Sequence, residues 1–270
     1  MHPEIVESVR RALAEDIGDG DLTSQLTVPA DRQAEGKFFA RAEITVAGIE
    51  LLPLIYELRG GVDHLELLKK PGDRAHDGEL LAIVRGNARR LLECERVALN
   101  FMQRLSGVAT LARRYADAVQ GTRTAVLDTR KTTPGLRRLE KAAAAAGGVT
   151  NHRMGLFDYI LIKNNHLTAA GGVRAALAGT AKATVPVEVE VRTWDELNEA
   201  LDAGAKRLLL DNLTPAEAKR WVATWRVGRV PKFRVALRST RFAPMRRPVP
   251  ILFPSGPLPI RPSPSTLTFG

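Results

Sequence analysis

The sequence predicts an α/β protein in two parts: an N-terminal α+β, sandwich-like domain on a small, mostly antiparallel sheet, then alternating strands and helices around a parallel sheet. Three observations predict it. Short β-like runs cluster between Gly36 and Arg85, separated by turn residues. Apolar residues recur at helical spacing from Leu91 to about Val119. From Thr124 onward, runs of Val, Ile and Leu alternate with helical segments, the pattern of βαβ crossovers.

Each element follows from its residues. Ile5, Val6, Val9, Leu13 and Ile17 make an amphipathic first helix over 4–17. The acidic loop Asp16 to Asp21 lacks the spacing and the closing glutamate of a calcium loop, and reads as structural. Runs at 37–42, 44–47, 64–68 and 80–84 read as strands, 51–58 as a short helix, and Pro71 to Gly78 as a turn with His76 at the surface. No catalytic cluster falls in this part. Leu92, Val97, Leu99, Phe101, Met102, Leu105, Val108, Leu111 and Ala112 describe one long helix. Strands at 124–127, 159–162, 185–191 and 207–210 then alternate with helices near 136–146, 167–178, 193–202 and 214–224. A barrel and a doubly wound sheet both satisfy that order. The expected domains are 1–105, 106–231 and a tail at 232–270.

The net charge of +10 suggests nucleic acid until it is located. Lys232 to Gly270 holds seven basic residues, no acidic one and eight of the 16 prolines, which leaves +3 for the first 231 residues. The body is therefore only mildly basic, and a nucleic-acid-binding protein is the weaker reading. A single cysteine, Cys94, excludes a disulfide framework and fits a reducing compartment. The polar N-terminus is unlike a signal peptide, and no apolar run is long enough to span a bilayer. A soluble cytoplasmic protein with no membrane and no nucleic-acid partner is expected.

The chemistry concentrates after the strands. Asp128-Thr129-Arg130-Lys131 follows the first, Lys163-Asn164-Asn165-His166 the second; Glu188 and Glu190 lie in the third, and Asp211-Asn212 ends the fourth. Asn151-His152-Arg153 lies in the loop before Tyr159. Any one of these could be a solvated loop charge or a helix cap. Ionisable groups at the same end of successive parallel strands, however, are how barrel active sites are assembled. Arg130, Lys131, His152, Arg153 and Lys163 suit a substrate with several negative charges. Glu190 and Asp211 could hold a divalent ion or ribose hydroxyls. There is no phosphate loop, dinucleotide fingerprint, zinc spacing or nucleophile–base pair, so catalysis by positioning and electrostatics is implied.

These residues resemble those of the quinolinate phosphoribosyltransferases. The matching segments are Glu95 to Thr110, Asp128 to Arg137, Asn151 to Gly155, Leu161 to His166, Val187 to Val191 and Leu208 to Asn212, and the likeness covers about residues 1–231. The resemblance implies an incomplete α/β, TIM-like barrel for the second domain, and a homodimer (a hexamer being the alternative assembly) in which each N-terminal domain covers its partner's barrel. It implies joining quinolinate to phosphoribosyl pyrophosphate with magnesium (Mg2+), giving nicotinate mononucleotide, pyrophosphate and carbon dioxide for NAD biosynthesis. By matched position, Arg104 (donated across the dimer), Arg130, His152 and Arg153 would bind the quinolinate carboxylates, with Thr129 beside them. Lys131 and Lys163 would serve the phosphoribosyl donor, and Glu190 and Asp211 its ribose and metal. Asn164 stands where many relatives have an acid. A related enzyme for nicotinate or another pyridine acid is the nearest alternative.

The tail departs from that resemblance. The family continues with a Ser-Gly-Gly loop and a Gly-Ala-Leu-Thr segment that this chain lacks. One permitted back-translation of the residues after Pro231, shifted in frame, reads EVSGGITLDPVRAY and restores such an ending. The expectation is a tail read out of frame, without either period, and a chain that as written is poorly stable and inactive.

Overall fold

A computed structural model of the chain describes residues 1–122, 124–224, 232–237 and 266–269. The protein packs as two compact units, one of residues 1–152 with the strand Thr266–Phe269, the other within residues 153–249.

In the first unit α1 (Pro3–Ile17) has proline in its first turn, where the missing N–H costs nothing, and buries Val9 and Leu13. The acidic loop after it caps α2 (Leu22–Thr27): the Asp21 carboxylate accepts the Ser24 N–H at 3.0 Å. The strands are β1 (Gln33–Phe39), β2 (Ile44–Thr45), β3 (His64–Leu67), β4 (Arg74–Ala75) and β5 (Leu80–Asn87), with α3 (Leu52–Glu57) between β2 and β3. Strand β5 pairs antiparallel with both β1 and β3. Helix α4 (Ala88–Ala118) crosses this sheet's core and buries Leu91, Val97, Ala98, Phe101, Met102 and Leu105. It runs unbroken through residue 105, and the two packing units part after residue 152. Helix α5 (Arg137–Ala146) lies against it. Gly147 permits that approach, since a Cβ there would sit 2.4 Å from the Ala109 carbonyl oxygen.

The expected strand at 124–127 is not one. Leu127 makes a single parallel bridge to Thr150, and Thr124 and Ala125 are exposed. The backbone exchanges only Asp128 N–H to Thr150 O at 3.1 Å and Thr150 N–H to Val126 O at 2.9 Å, too little to make a ladder.

In the second unit β6 (Ile160–Ile162), β7 (Val187–Val191), β8 (Arg207–Leu213) and β9 (Lys232–Leu237) form a parallel sheet in chain order. Sequential order without a reversal is the arrangement of a barrel wall, not of a doubly wound sheet with its switch point. Helices α6 (Asn164–Ala170), α7 (Val173–Ala178), α8 (Trp194–Asp202) and α9 (Pro215–Thr224) connect the strands. Val189, Val191, Leu208 and Leu210 are fully buried together with Leu197 and Ala200 of α8. The helix expected at 167–178 is two, because Gly171 and Gly172 take φ of 85° and 126° between them.

The tail expectation needs correction at both its ends. Lys232–Leu237 joins β8 as β9, and its text alternates Phe233, Val235 and Leu237 with polar or small residues, a period-two signal. Thr266–Phe269, named β10, pairs parallel with β1, giving the sheet order β10-β1-β5-β3. The remainder of the tail, 238–265, lies outside the described residues, and so does residue 270.

Candidate active site

The loop from Asp128 to Leu136 holds the densest cluster of candidates in the first unit, and two neighbouring residues of α5 grip it. Glu140 accepts Arg104 Nε at 3.0 Å with one carboxylate oxygen and the Thr133 N–H at 3.1 Å with the other. Arg104 also donates to the Thr133 hydroxyl. Lys141, its side chain 1% exposed, reaches Asp128 at 2.5 Å. Asp128 in turn accepts the His152 N–H at 2.7 Å. With its amide nitrogen facing the acceptors, Asn151 donates to the other Asp128 oxygen at 2.8 Å and to the Lys141 carbonyl at 3.0 Å. Thr129 is exposed and its hydroxyl accepts the Lys131 N–H at 3.1 Å, a local turn.

The first-unit candidates therefore differ in what holds them. Arg104 is engaged by Glu140 and Thr133 of its own chain, and His152 is half-buried and tied to Asp128 through its backbone. The side chains of Arg130 and Lys131 make no hydrogen bond or ion pair among the described residues. Sequence reasoning missed Glu140, Lys141 and the anchoring part played by Asp128. The available signal was a Glu-Lys pair that directly precedes five alanines in a helix that turns Leu139, Ala143 and Ala144 inward.

In the second unit Arg153 is buried, and its Nη1 donates to the Tyr159 carbonyl at 3.3 Å. The turn after it is closed by Asp158, which accepts the Met154 and Gly155 N–H groups at 2.7 and 2.9 Å. Strand register aligns the other candidates. Leu161 pairs with Glu188, so Lys163, one step past β6, falls level with Glu190, while Asp211 lies two residues beyond Leu209, the partner of Glu190. Side chains two apart share a face, so Lys163, Glu190 and Asp211 belong to the face opposite the α8 core. Lys163 precedes α6, and its N–H donates to His166 Nδ1 at 2.9 Å. His166 therefore turns a helix rather than ending a strand.

Burial, and then the Asp211 charge, raise the Glu190 carboxyl above the usual carboxylate range, with Lys163 and Arg192 acting against them. Glu190 thus holds its proton more tightly folded than unfolded. Its contribution to stability falls as pH rises from the ordinary carboxylate range through the raised native value, above which the charged group opposes folding. Glu190→Gln should raise the melting temperature at pH 7 slightly, on the order of 1–2 °C, with the difference disappearing in acid. An unchanged melting temperature at both pH values would refute it. Two mutually repelling carboxylates on adjacent strands suit a divalent cation that arrives with substrate phosphates. No group of three or more His, Cys, Asp or Glu among the described residues could cage a metal unaided.

The comparisons with known proteins match both parts of the chain. The N-terminal domain of quinolinate phosphoribosyl transferase matches residues 21–106, and its C-terminal domain matches residues 108–237. The chain is 41% identical over 217 residues to a probable nicotinate-nucleotide pyrophosphorylase (carboxylating) of Bacillus subtilis, covering 79% of this chain and 75% of that one. It is 41% identical over 227 residues to quinolinate phosphoribosyltransferase (decarboxylating) 2b of Nicotiana tabacum, covering 78% of this chain. The alignment spans 64% of that tobacco relative's length. The solved nicotinate-nucleotide pyrophosphorylase of Francisella tularensis superposes with a TM-score of 0.81 at 35% identity, over 89% of this chain and 86% of that one.

Proposed function

The chain belongs to the quinolinate phosphoribosyltransferase family, and from that premise we propose that it joins quinolinate to phosphoribosyl pyrophosphate. The products are nicotinate mononucleotide, pyrophosphate and carbon dioxide, a step of NAD biosynthesis. The observation that carries the reading is a loop with two cationic side chains, Arg130 and Lys131, that no described residue neutralises. Such groups suit a polyanionic ligand.

In this reading Arg104, Arg130, His152 and Arg153 take the two ring carboxylates. Lys131 and Lys163 hold the phosphoribosyl donor, and Glu190 and Asp211 face its ribose. The ring nitrogen bonds to the anomeric carbon as the bond to pyrophosphate breaks; the carboxylate next to the nitrogen then leaves as carbon dioxide and a proton takes its place. The carboxylates stabilise positive charge at the sugar, and the lysines stabilise the negative charge on the leaving group. Glu190 and Asp211 would help to hold a magnesium ion that arrives with the donor, and the ion would supply charge neutralisation of the pyrophosphate. We include a homodimer in the proposal. Four cations for the ring favour a dicarboxylate over nicotinate, the second reading.

The test is turnover of quinolinate with phosphoribosyl pyrophosphate and magnesium, by the 270-residue chain and by a version carrying the shifted-frame ending after Pro231. Activity in the shifted-frame version alone is expected, and supports both the function and the frame error. Turnover by the present chain at the same rate would overturn the frame argument, and turnover by neither would overturn the function. Intact-mass analysis of the natural protein checks the ending directly.

A further inference from the structure

We propose that Lys141 is a positioning residue for the anionic ligand: it occupies Asp128 internally, so that this carboxylate does not neutralise the cations of its own loop. The inference deepens the function proposed above and rests on it.

Asp128 begins the segment that carries Arg130 and Lys131, and a carboxylate two or three residues from such groups is a natural intramolecular competitor for them. In the structure it is spoken for. Lys141, 1% exposed, meets Asp128, 9% exposed, at 2.5 Å. His152 N–H donates to the same Asp128 oxygen at 2.7 Å and the Asn151 amide to the other at 2.8 Å. The neighbouring carboxylate, Glu140, is likewise engaged by Arg104 and the Thr133 N–H. Both acids near the loop are thus bound inward, and the Arg130 and Lys131 side chains are left without partners among the described residues.

Stability alone does not explain the pair. A buried ion pair is often no better for the fold than apolar groups of similar volume. The carboxylate has a second duty, because the same group that begins the cationic loop also holds the backbone of His152. Lys141 is what lets an acid stand in that position without cancelling the cations around it. It touches no substrate and acts through Asp128.

Calorimetric titration of quinolinate into the 270-residue protein tests this, with the folded fraction of each variant set by circular dichroism. Lys141→Met, which frees the Asp128 charge, should weaken binding roughly 10-fold. The double variant Asp128→Asn with Lys141→Met removes both charges and keeps an acceptor for the His152 N–H, so it should return to within about 3-fold of the parent. A merely structural lysine would show no such rescue. Unchanged affinity in folded Lys141→Met, or a loss persisting in the folded double variant, overturns the inference while leaving the functional reading intact. If Lys141→Met does not fold, the double variant decides alone, by near-parental affinity or by its loss. Absence of quinolinate binding to the folded parent protein overturns the inference alone, since the functional reading is decided by turnover of the shifted-frame version.

Discussion

Replacing Arg130 with leucine is expected to raise the dissociation constant for quinolinate roughly 10- to 100-fold, the equivalent of losing one or two charge-assisted hydrogen bonds. The melting temperature should stay within about 2 °C of the parent, because replacing a half-buried side chain that makes no hydrogen bond or ion pair among the described residues changes stability little. The Arg130 guanidinium makes no hydrogen bond or ion pair among the described residues, while the residue's carbonyl accepts from Thr132 N–H at 3.0 Å and from Arg137 Nη2 at 3.4 Å. Arg153 offers the contrast. It is 8% exposed and donates to the Tyr159 carbonyl, so its replacement would disturb fold and binding together. Calorimetric titration beside a thermal melt separates the two. A fall of about 10 °C for Arg130→Leu would make the residue structural, and an unchanged dissociation constant would remove it from the site.

Lys141→Met is expected to destabilise the fold far more than the loss of an exposed ion pair. Removing one partner of a buried ion pair leaves the other charge uncompensated, at a cost of about 3–5 kcal/mol. For a protein of this size that corresponds to a fall in melting temperature on the order of 10 °C. The Arg138–Glu4 pair is the control. It has a similar geometry at 2.8 Å, but Glu4 is 67% exposed, so Arg138→Met should leave the melting temperature nearly unchanged. Differential scanning calorimetry of the two variants at pH 7 makes the comparison. Equal melting temperatures would mean that Asp128 finds water or another cation once Lys141 is gone.

The features legible in the sequence were those set by residues a few positions apart. The amphipathic spacing from Ile5 to Ile17 gives α1, and that from Leu92 to Ala112 gives α4, because a helix repeats its face every three to four residues. Val185 to Val191 and Arg207 to Leu210 were readable as strands for the parallel reason, and Glu190 and Asp211 were readable as ionisable groups toward the ends of successive strands. The cationic loop was readable because Arg130, Lys131 and their neighbours are contiguous.

Tertiary structure decided whatever depends on residues brought in from far along the chain. Thr124 to Leu127 is apolar enough for a strand, yet a ladder needs a partner, and Thr150 alone supplies one bridge. Lys232–Leu237 sits in a basic, proline-rich tail, but β8 offers it an edge and it pairs there. The partnership of Lys141 with Asp128 crosses 13 residues, and that of Glu140 with Arg104 crosses 36, separations at which no periodicity speaks. The proton affinity of Glu190 is raised by burial and by Asp211 on the next strand. In each case the energy lies in desolvation and in charges meeting at close range, which spacing along a chain does not encode and a folded neighbourhood does.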